Sequence, residues 1–172
     1  YLGGRETNKH QSKKTECTQG RSTKTKTPIF GMVQRDGLVH ALKVTDTKAS
    51  TLMPIIKQFC KENSHFFTDE LTSYSCLDRE GMKHSVIEHG KKEFSKDGVT
   101  TNSIEGFWGH FKRMVLGTYH FVSKDYLQRY LDEAVYRYNT RKASESTRFA
   151  DMFYKSIGIV SYMDVKSIKC AA

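Results

Sequence analysis

The 172-residue sequence predicts an α/β protein in which a mixed sheet is flanked by helices. Three features carry that prediction. Two β-rich runs flank Asp36-Gly37, a turn signal for an antiparallel hairpin. A short apolar run, Ser64 to Thr68, lies between helical patterns and reads as a buried strand. Two longer segments beyond residue 100 repeat their apolar residues at the helical period. The order is hairpin, helix, buried strand, short helix, strand, helices. A first strand is expected upstream of Tyr1, and the sequence opens on Tyr1 without a Met or a leader pattern, as a fragment does.

Taken in order, Thr27 to Gln34 forms a strand with Pro28 at its start, where a missing N–H does least harm. Leu38 to Val44 is its antiparallel return. A helix follows from Thr51 to Glu62, with Leu52, Ile55, Ile56 and Phe59 on one face. Thr51 is its expected cap, which puts Pro54 in the first turn, where no donor is needed. The spacing predicts a short helix over 71–77 and a strand over 83–87. A long helix spans 102–116 with the stripe Ile104, Phe107, Trp108, Phe111 and Val115. Another spans 124–139 after Ser123 as N-cap, and a last helix covers 148–156. Trp108 belongs to the core stripe rather than to a surface that stacks bases.

Composition narrows the functional classes. The formal charge is +9, hydrophobic residues are 37% and aromatics 12%, which excludes a disordered chain. No apolar run is long enough to cross a membrane, so no membrane partner is expected. Residues 1–27 carry seven basic side chains, Lys13 and Lys14 among them, against Glu6 and Glu16. Such a basic, polar loop suits a polyanion, because each cation near a phosphate releases counterions, or equally serves as a solubilising face. Cys17, Cys60, Cys76 and Cys170 are irregularly spaced with no C-x-x-C, so reduced thiols are expected.

Chemistry concentrates on a few residues. Asp69 directly follows the buried strand, where open α/β sheets gather ligands. Glu105 lies on the long helix, with 35 residues between it and Asp69. Carboxylates so placed hold hard divalent cations through oxygen. Lys112 is seven residues past Glu105, only about 20° away around a helix axis. An ordinary helix surface has the same spacing, and a strand-end Asp is also a common cap. His84 and His89 bracket the segment KHSVIEH and are placed to touch phosphate or, as surface histidines often do, nothing. His110-Phe111-Lys112-Arg113 interleaves aromatic and basic residues, as nucleic-acid surfaces do.

These motifs together resemble a known family. Thr101-Asn102-Ser103-Ile104-Glu105-Gly106-Phe107-Trp108, followed by Lys112-Arg113, is similar to the signature of DDE-class insertion-sequence transposases. The nearest type is the bacterial ISXO-type family related to the eukaryotic Merlin elements. Tyr1-Leu2-Gly3-Gly4, Gly31-Met32-Val33, Thr68-Asp69-Glu70, Tyr74, His84, His89, Gly117-Thr118-Tyr119-His120 and Arg137-Tyr138-Asn139 agree in the same order. The resemblance covers residues 1–155, an incomplete catalytic domain, and leaves 156–172 as a tail.

The resemblance implies a ribonuclease-H-like fold whose first strand is missing from this chain, and metal-dependent cleavage and strand transfer of insertion-sequence ends. Mg²⁺ (or Mn²⁺) is the implied cofactor, with Asp69 and Glu105 as metal ligands and Lys112 as the basic residue beside them. Asn102 is the rival third member, because some branches carry Asn there. The family's first aspartate falls three residues before the position of Tyr1, outside this chain, as does the N-terminal DNA-binding region. Thr100 departs from the His of many relatives. DNA, as transposon ends and target, is the implied partner, with Arg113, His110, His84, His89, Lys13 and Lys14 as contacts and a homo-oligomer as the working assembly. The compartment is the bacterial cytoplasm or a eukaryotic nucleus. The alternatives are a non-catalytic DNA-binding remnant and a ribonuclease or resolvase on the same fold.

Overall fold

The computed structural model describes residues 10–14, 26–69, 71–87 and 102–156. Strands β1 (Ile29–Val33) and β2 (Val39–Lys43) pair antiparallel, with Ile29 opposite Lys43 and Val33 opposite Val39. The turn between them holds Asp36 at φ 53°, a left-handed conformation that Asp tolerates better than most residues. Helix α1 (Ala49–Phe59) follows, then β3 (His65–Thr68) and β4 (Lys83–Val86), which pair parallel with His65 opposite Lys83. Helices α2 (Asn102–Met114), α3 (Leu127–Asn139) and α4 (Glu145–Lys155) complete the described chain. The expected α/β mixture with both strand orientations is therefore present, as two two-stranded sheets among the described residues.

The period-two alternation of the hairpin explains the layering. Ile29, Val33, Val39 and Ala41 face the cluster built by Phe107, Phe111, Val115, Leu127, Leu131 and Ala134 of the later helices. Phe30, Met32 and Val44 face the other way, toward Leu52, Met53 and Ile56 of α1 and toward Leu77 and Met82. The hairpin is thus covered on both faces, and a Cβ at Gly31 would come within 2.4 Å of the Trp108 ring. Glycine lets α2 lie close against β1 at this position. Trp108 is part of that packing, as its stripe predicts.

Helix α3 also closes the outer edge of β2. Residues 38 and 44 bond across the hairpin, so the backbone groups of 39, 41 and 43 point to the free edge. Asn139 meets Val39 with both ends of its amide: Val39 N donates to Oδ1 (2.8 Å) and Nδ2 donates to Val39 O (3.0 Å). Gln128, three helical turns earlier, accepts from Lys43 N (2.8 Å) and donates to Ala41 O (3.2 Å). Two side-chain amides thereby replace a neighbouring strand and blunt an exposed edge. Val39 is fully buried. Asn139→Ala is expected to leave its N–H without a partner and cost about 1–3 kcal/mol. Asn139→Asp, which keeps the acceptor, should cost less than Asn139→Ala in urea unfolding.

Several boundaries differ from the sequence reading, each for a local reason. Helix α1 begins before Thr51, because Asp46 Oδ1 accepts from Lys48 N (2.9 Å) and from Thr51 Oγ1 (2.7 Å). Those bonds hold the Asp46 carboxyl below its usual pKa, the Thr51 hydroxyl contributing most. Pro54 therefore sits inside the helix rather than in its first turn. The expected helix over 71–77 is instead the short turn Thr72–Tyr74, followed by Asp78–Glu80. Ser73 Oγ bonds to Thr47 O (2.5 Å) and Leu77 is fully buried, so tertiary anchors shape this stretch. Helix α3 starts at Leu127, not after Ser123, whose buried Oγ has no hydrogen-bond partner. Helix α4 starts early because Ser144 Oγ accepts from Thr147 N (3.2 Å). Cys60 and Cys76 are free thiols; the Cys17 and Cys170 expectations, residues 1–9 and 15–25 of the basic loop and the tail from 157 lie outside the described residues.

Candidate functional site

The parallel pair β3–β4 places Asp69 one residue past the carboxyl end of β3, half-buried, as the sequence order predicts. Its Oδ1 accepts from Leu71 N at 3.3 Å, a turn that starts the chain's exit from the strand. Thr68 beside it is fixed from two sides. Its hydroxyl donates to Asp69 O (2.9 Å), and His84 Nε2 lies 2.8 Å from the same oxygen. The hydroxyl has one proton to give, so His84 is the donor of the second bond. His84 Nδ1 is 3.7 Å from Asp78 Oδ2.

This arrangement corrects the expectation for His84. Its side chain is only 4% exposed and turned inward, so it is not offered to a phosphate. The strand register places His84 opposite Phe66, within reach of the next residue on that face, Thr68. His84 therefore buttresses the strand end that carries Asp69.

Helix α2 carries Asn102 and Glu105 in its first turn and Lys112 in its last, all exposed. The helix is continuous from Asn102 to Met114, so Glu105 and Lys112 share a flank, about 20° apart. A carboxylate near the amino end and cations near the carboxyl end also suit the helix dipole. Both Asp69 and Glu105 are hard oxygen donors, the kind that Mg²⁺ accepts. Among the described residues no group of three His, Cys, Asp or Glu comes together to hold a metal ion.

His110 and Arg113 lie on a different flank from Lys112. They line a cavity of about 500 Å³ between α2 and α3, together with Phe107, Phe111, Arg137 and Arg141. Arg137 lies in the last turn of α3 and Arg141 just past its end; in the sequence Arg137 stands out only within the motif Arg137-Tyr138-Asn139, and Arg141 not at all. Glu133 at this cavity is held by Arg137 (Nε to Oε1 2.9 Å) and by a short hydrogen bond from the Tyr119 hydroxyl. That carboxylate, with burial second, raises the Tyr119 pKa above its ordinary value. Gly117-Thr118-Tyr119 lies in a widened helical turn, Val115–Tyr119, and His120 follows at φ 58°. Lys14 is exposed and bonds to Gln11 (3.4 Å). The Lys13 side chain and His89 lie outside the described residues. No helix among the described residues is long and apolar enough to cross a membrane.

Comparison with known proteins agrees with the sequence motifs. Residues 1–139 match the family of the ISXO2-like transposase domain. The chain is 33% identical over 101 residues to an uncharacterized transposase-like protein of Haemophilus influenzae, spanning 59% of this chain and 80% of that protein. No solved structure gives a significant match. With the match running through the hairpin, the Asp69 strand end, the Glu105 helix and up to Asn139, the chain belongs to the ISXO2-like transposase family.

Proposed function

We propose that the protein cuts and joins insertion-sequence ends by divalent-metal phosphoryl transfer, on a ribonuclease-H-like domain. The observation that supports this most is the placement of Asp69 directly past β3 of a parallel pair, in a chain that matches the transposase family over residues 1–139. Asp69 and Glu105 are the residues of this chain that would hold Mg²⁺ or Mn²⁺, and their donor chemistry fits. When bound, such ions supply an activated water and neutralise charge on the leaving oxygen.

The chain's own residues prepare that site. Thr68 and His84 fix the end of β3 and with it the backbone of Asp69. Lys112, on the flank of Glu105, supplies a cation for a backbone phosphate next to the reacting one. DNA is the substrate, as ends and as target, and the working form is a homo-oligomer on it.

The test is cleavage of the terminal repeats that flank the gene, by the protein expressed with any residues encoded upstream of Tyr1. Cutting is expected in Mg²⁺ and absent in EDTA. Glu105→Gln should abolish it, whereas Asn102→Ala should cut at a reduced rate, since a carboxylate holds Mg²⁺ better than an amide. The reverse ranking would make Asn102 the ligand. DNA binding without cutting by the unmutated protein would replace this reading with a non-catalytic DNA-binding one. Cutting of RNA–DNA hybrids without strand transfer would replace it with a nuclease.

A further inference from the structure

We propose that the cavity between α2 and α3 is a second nucleic-acid site, which takes one unstacked base of a single DNA strand and holds its phosphate on Arg113 and Arg141. The proposal rests on the DNA reading above and adds a site distinct from Asp69 and Glu105.

Size and lining come first. The cavity measures about 500 Å³, within the range of pockets that bury whole ligands. Phe107, Phe111 and Ala134 form an apolar floor, and all three are buried. A helix-to-helix cleft of this size admits a base that has left its stack, and not a duplex. Recognition of single strands commonly joins an apolar or aromatic surface for the base to cations for the backbone.

Charge then selects the occupant. Arg137 is engaged by Glu133, the carboxylate of the lining. Arg141 has no carboxylate partner among the described residues. Its guanidinium stacks 4.0 Å above the Tyr138 ring, and its Nη1 donates to Gly37 O (3.2 Å) and Tyr138 O (2.9 Å). Those contacts hold it at the rim with its Nε and Nη2 donors unspent. Arg113 is exposed at the end of α2 and makes no ion pair among the described residues. Two uncompensated arginines over an apolar floor favour an apolar body that carries negative charge, which a nucleotide is. Glu133 has further lone pairs free to accept from an exocyclic amine.

The position on the helix also matters. His110 stands about 140° around the α2 axis from Glu105, whereas Lys112 stands about 20° from it. His110 is only about 7.5 Å further along that axis. A strand crossing the exposed ridge of α2 would meet Lys112 beside Glu105 and, on the other flank, the cavity. The cavity is therefore placed to hold a nucleotide neighbouring the reacting one.

The experiment is fluorescence anisotropy in EDTA, with a labelled single strand of about 12 nucleotides and the same strand with its bases replaced by abasic sites. Thr118→Phe plugs the cavity from an exposed rim position, and Ala134→Met fills its floor. Thr118→Phe is expected to weaken binding of the normal strand about tenfold and to leave abasic-strand binding unchanged. Arg113→Gln should weaken both strands. Ala134→Met should repeat the Thr118→Phe result, and if it fails to fold, Thr118→Phe carries the test alone. Equal affinity of plugged and unplugged proteins for the normal strand would overturn the proposal. So would loss of self-association in Arg113→Gln with DNA affinity kept, which would assign the cavity to a protein partner. No affinity for any strand would instead defeat the DNA reading itself.

Discussion

Asp69→Asn is expected to reduce Mg²⁺-dependent cleavage by about 10²–10⁴-fold while the protein still folds and binds DNA. The size follows from chemistry. A metal-held carboxylate contributes several kcal/mol of charge stabilisation at the reacting phosphate, and each 1.4 kcal/mol is a factor of ten in rate. The selectivity follows from geometry. Asp69 has a structural role, since its Oδ1 accepts from Leu71 N, and an asparagine amide oxygen can accept the same bond. The strand end is also held independently, through Thr68 and His84. The variant therefore loses a negative charge and keeps an acceptor for Leu71 N. Gel assays of labelled repeat DNA in Mg²⁺, with mobility shifts in EDTA, measure the two properties separately. Cutting at the unmutated rate would remove Asp69 from the site. A variant that neither cuts nor binds would show that its structural role dominates.

Much of this arrangement was legible because it is written locally. Asp36-Gly37 between alternating residues located the hairpin, although the positive φ falls on Asp36 and not on Gly37. The stripe Ile104, Phe107, Trp108, Phe111 and Val115 located α2, and those residues lie in or against one cluster. Asp69 stands where strand order put it. Other features depend on partners far along the chain, and local pattern cannot see them. The amide clasp of Asn139 on Val39 joins residues 100 apart. Arg141 reaches Gly37 across 104. His84 looked like a surface histidine until the parallel register of β4 set it beside Thr68. The segment after Asp69 has a helix-compatible composition, but Leu77 and Ser73 answer to tertiary contacts. The lining of the α2–α3 cavity was half visible: His110 and Arg113 drew attention as a basic run and Arg137 within a family motif, while Arg141 became relevant only once α3 lay beside α2.

The same packing makes Phe107→Ala the substitution with the largest expected effect on stability, about 3–5 kcal/mol. Phe107 is 1% exposed at the centre of the cluster that joins the hairpin to α2 and α3. It meets Tyr138 edge-on at 5.6 Å and its neighbour Trp108 at 5.0 Å. The lost transfer energy of the ring adds to a cavity that these two rings cannot readily fill. Tyr138 is restrained by Arg141 stacked on its outer face, and Trp108 is wedged against Gly31. A loss of this size is a large share of the 5–15 kcal/mol that typical domains have. Phe107→Leu, which keeps most of the volume, should cost much less, and the difference between the two in urea unfolding measures how rigid the surroundings are. If Phe107→Ala costs under about 1.5 kcal/mol, the α2–α3 junction collapses around the gap, and α2 is less firmly held than its contacts indicate. That result would bear on function too, because α2 carries Glu105 and Lys112 on one flank and His110 and Arg113 on another. A helix that shifts to fill a gap moves both sets together, whereas one held by the Gly31–Trp108 contact keeps each in place against β1.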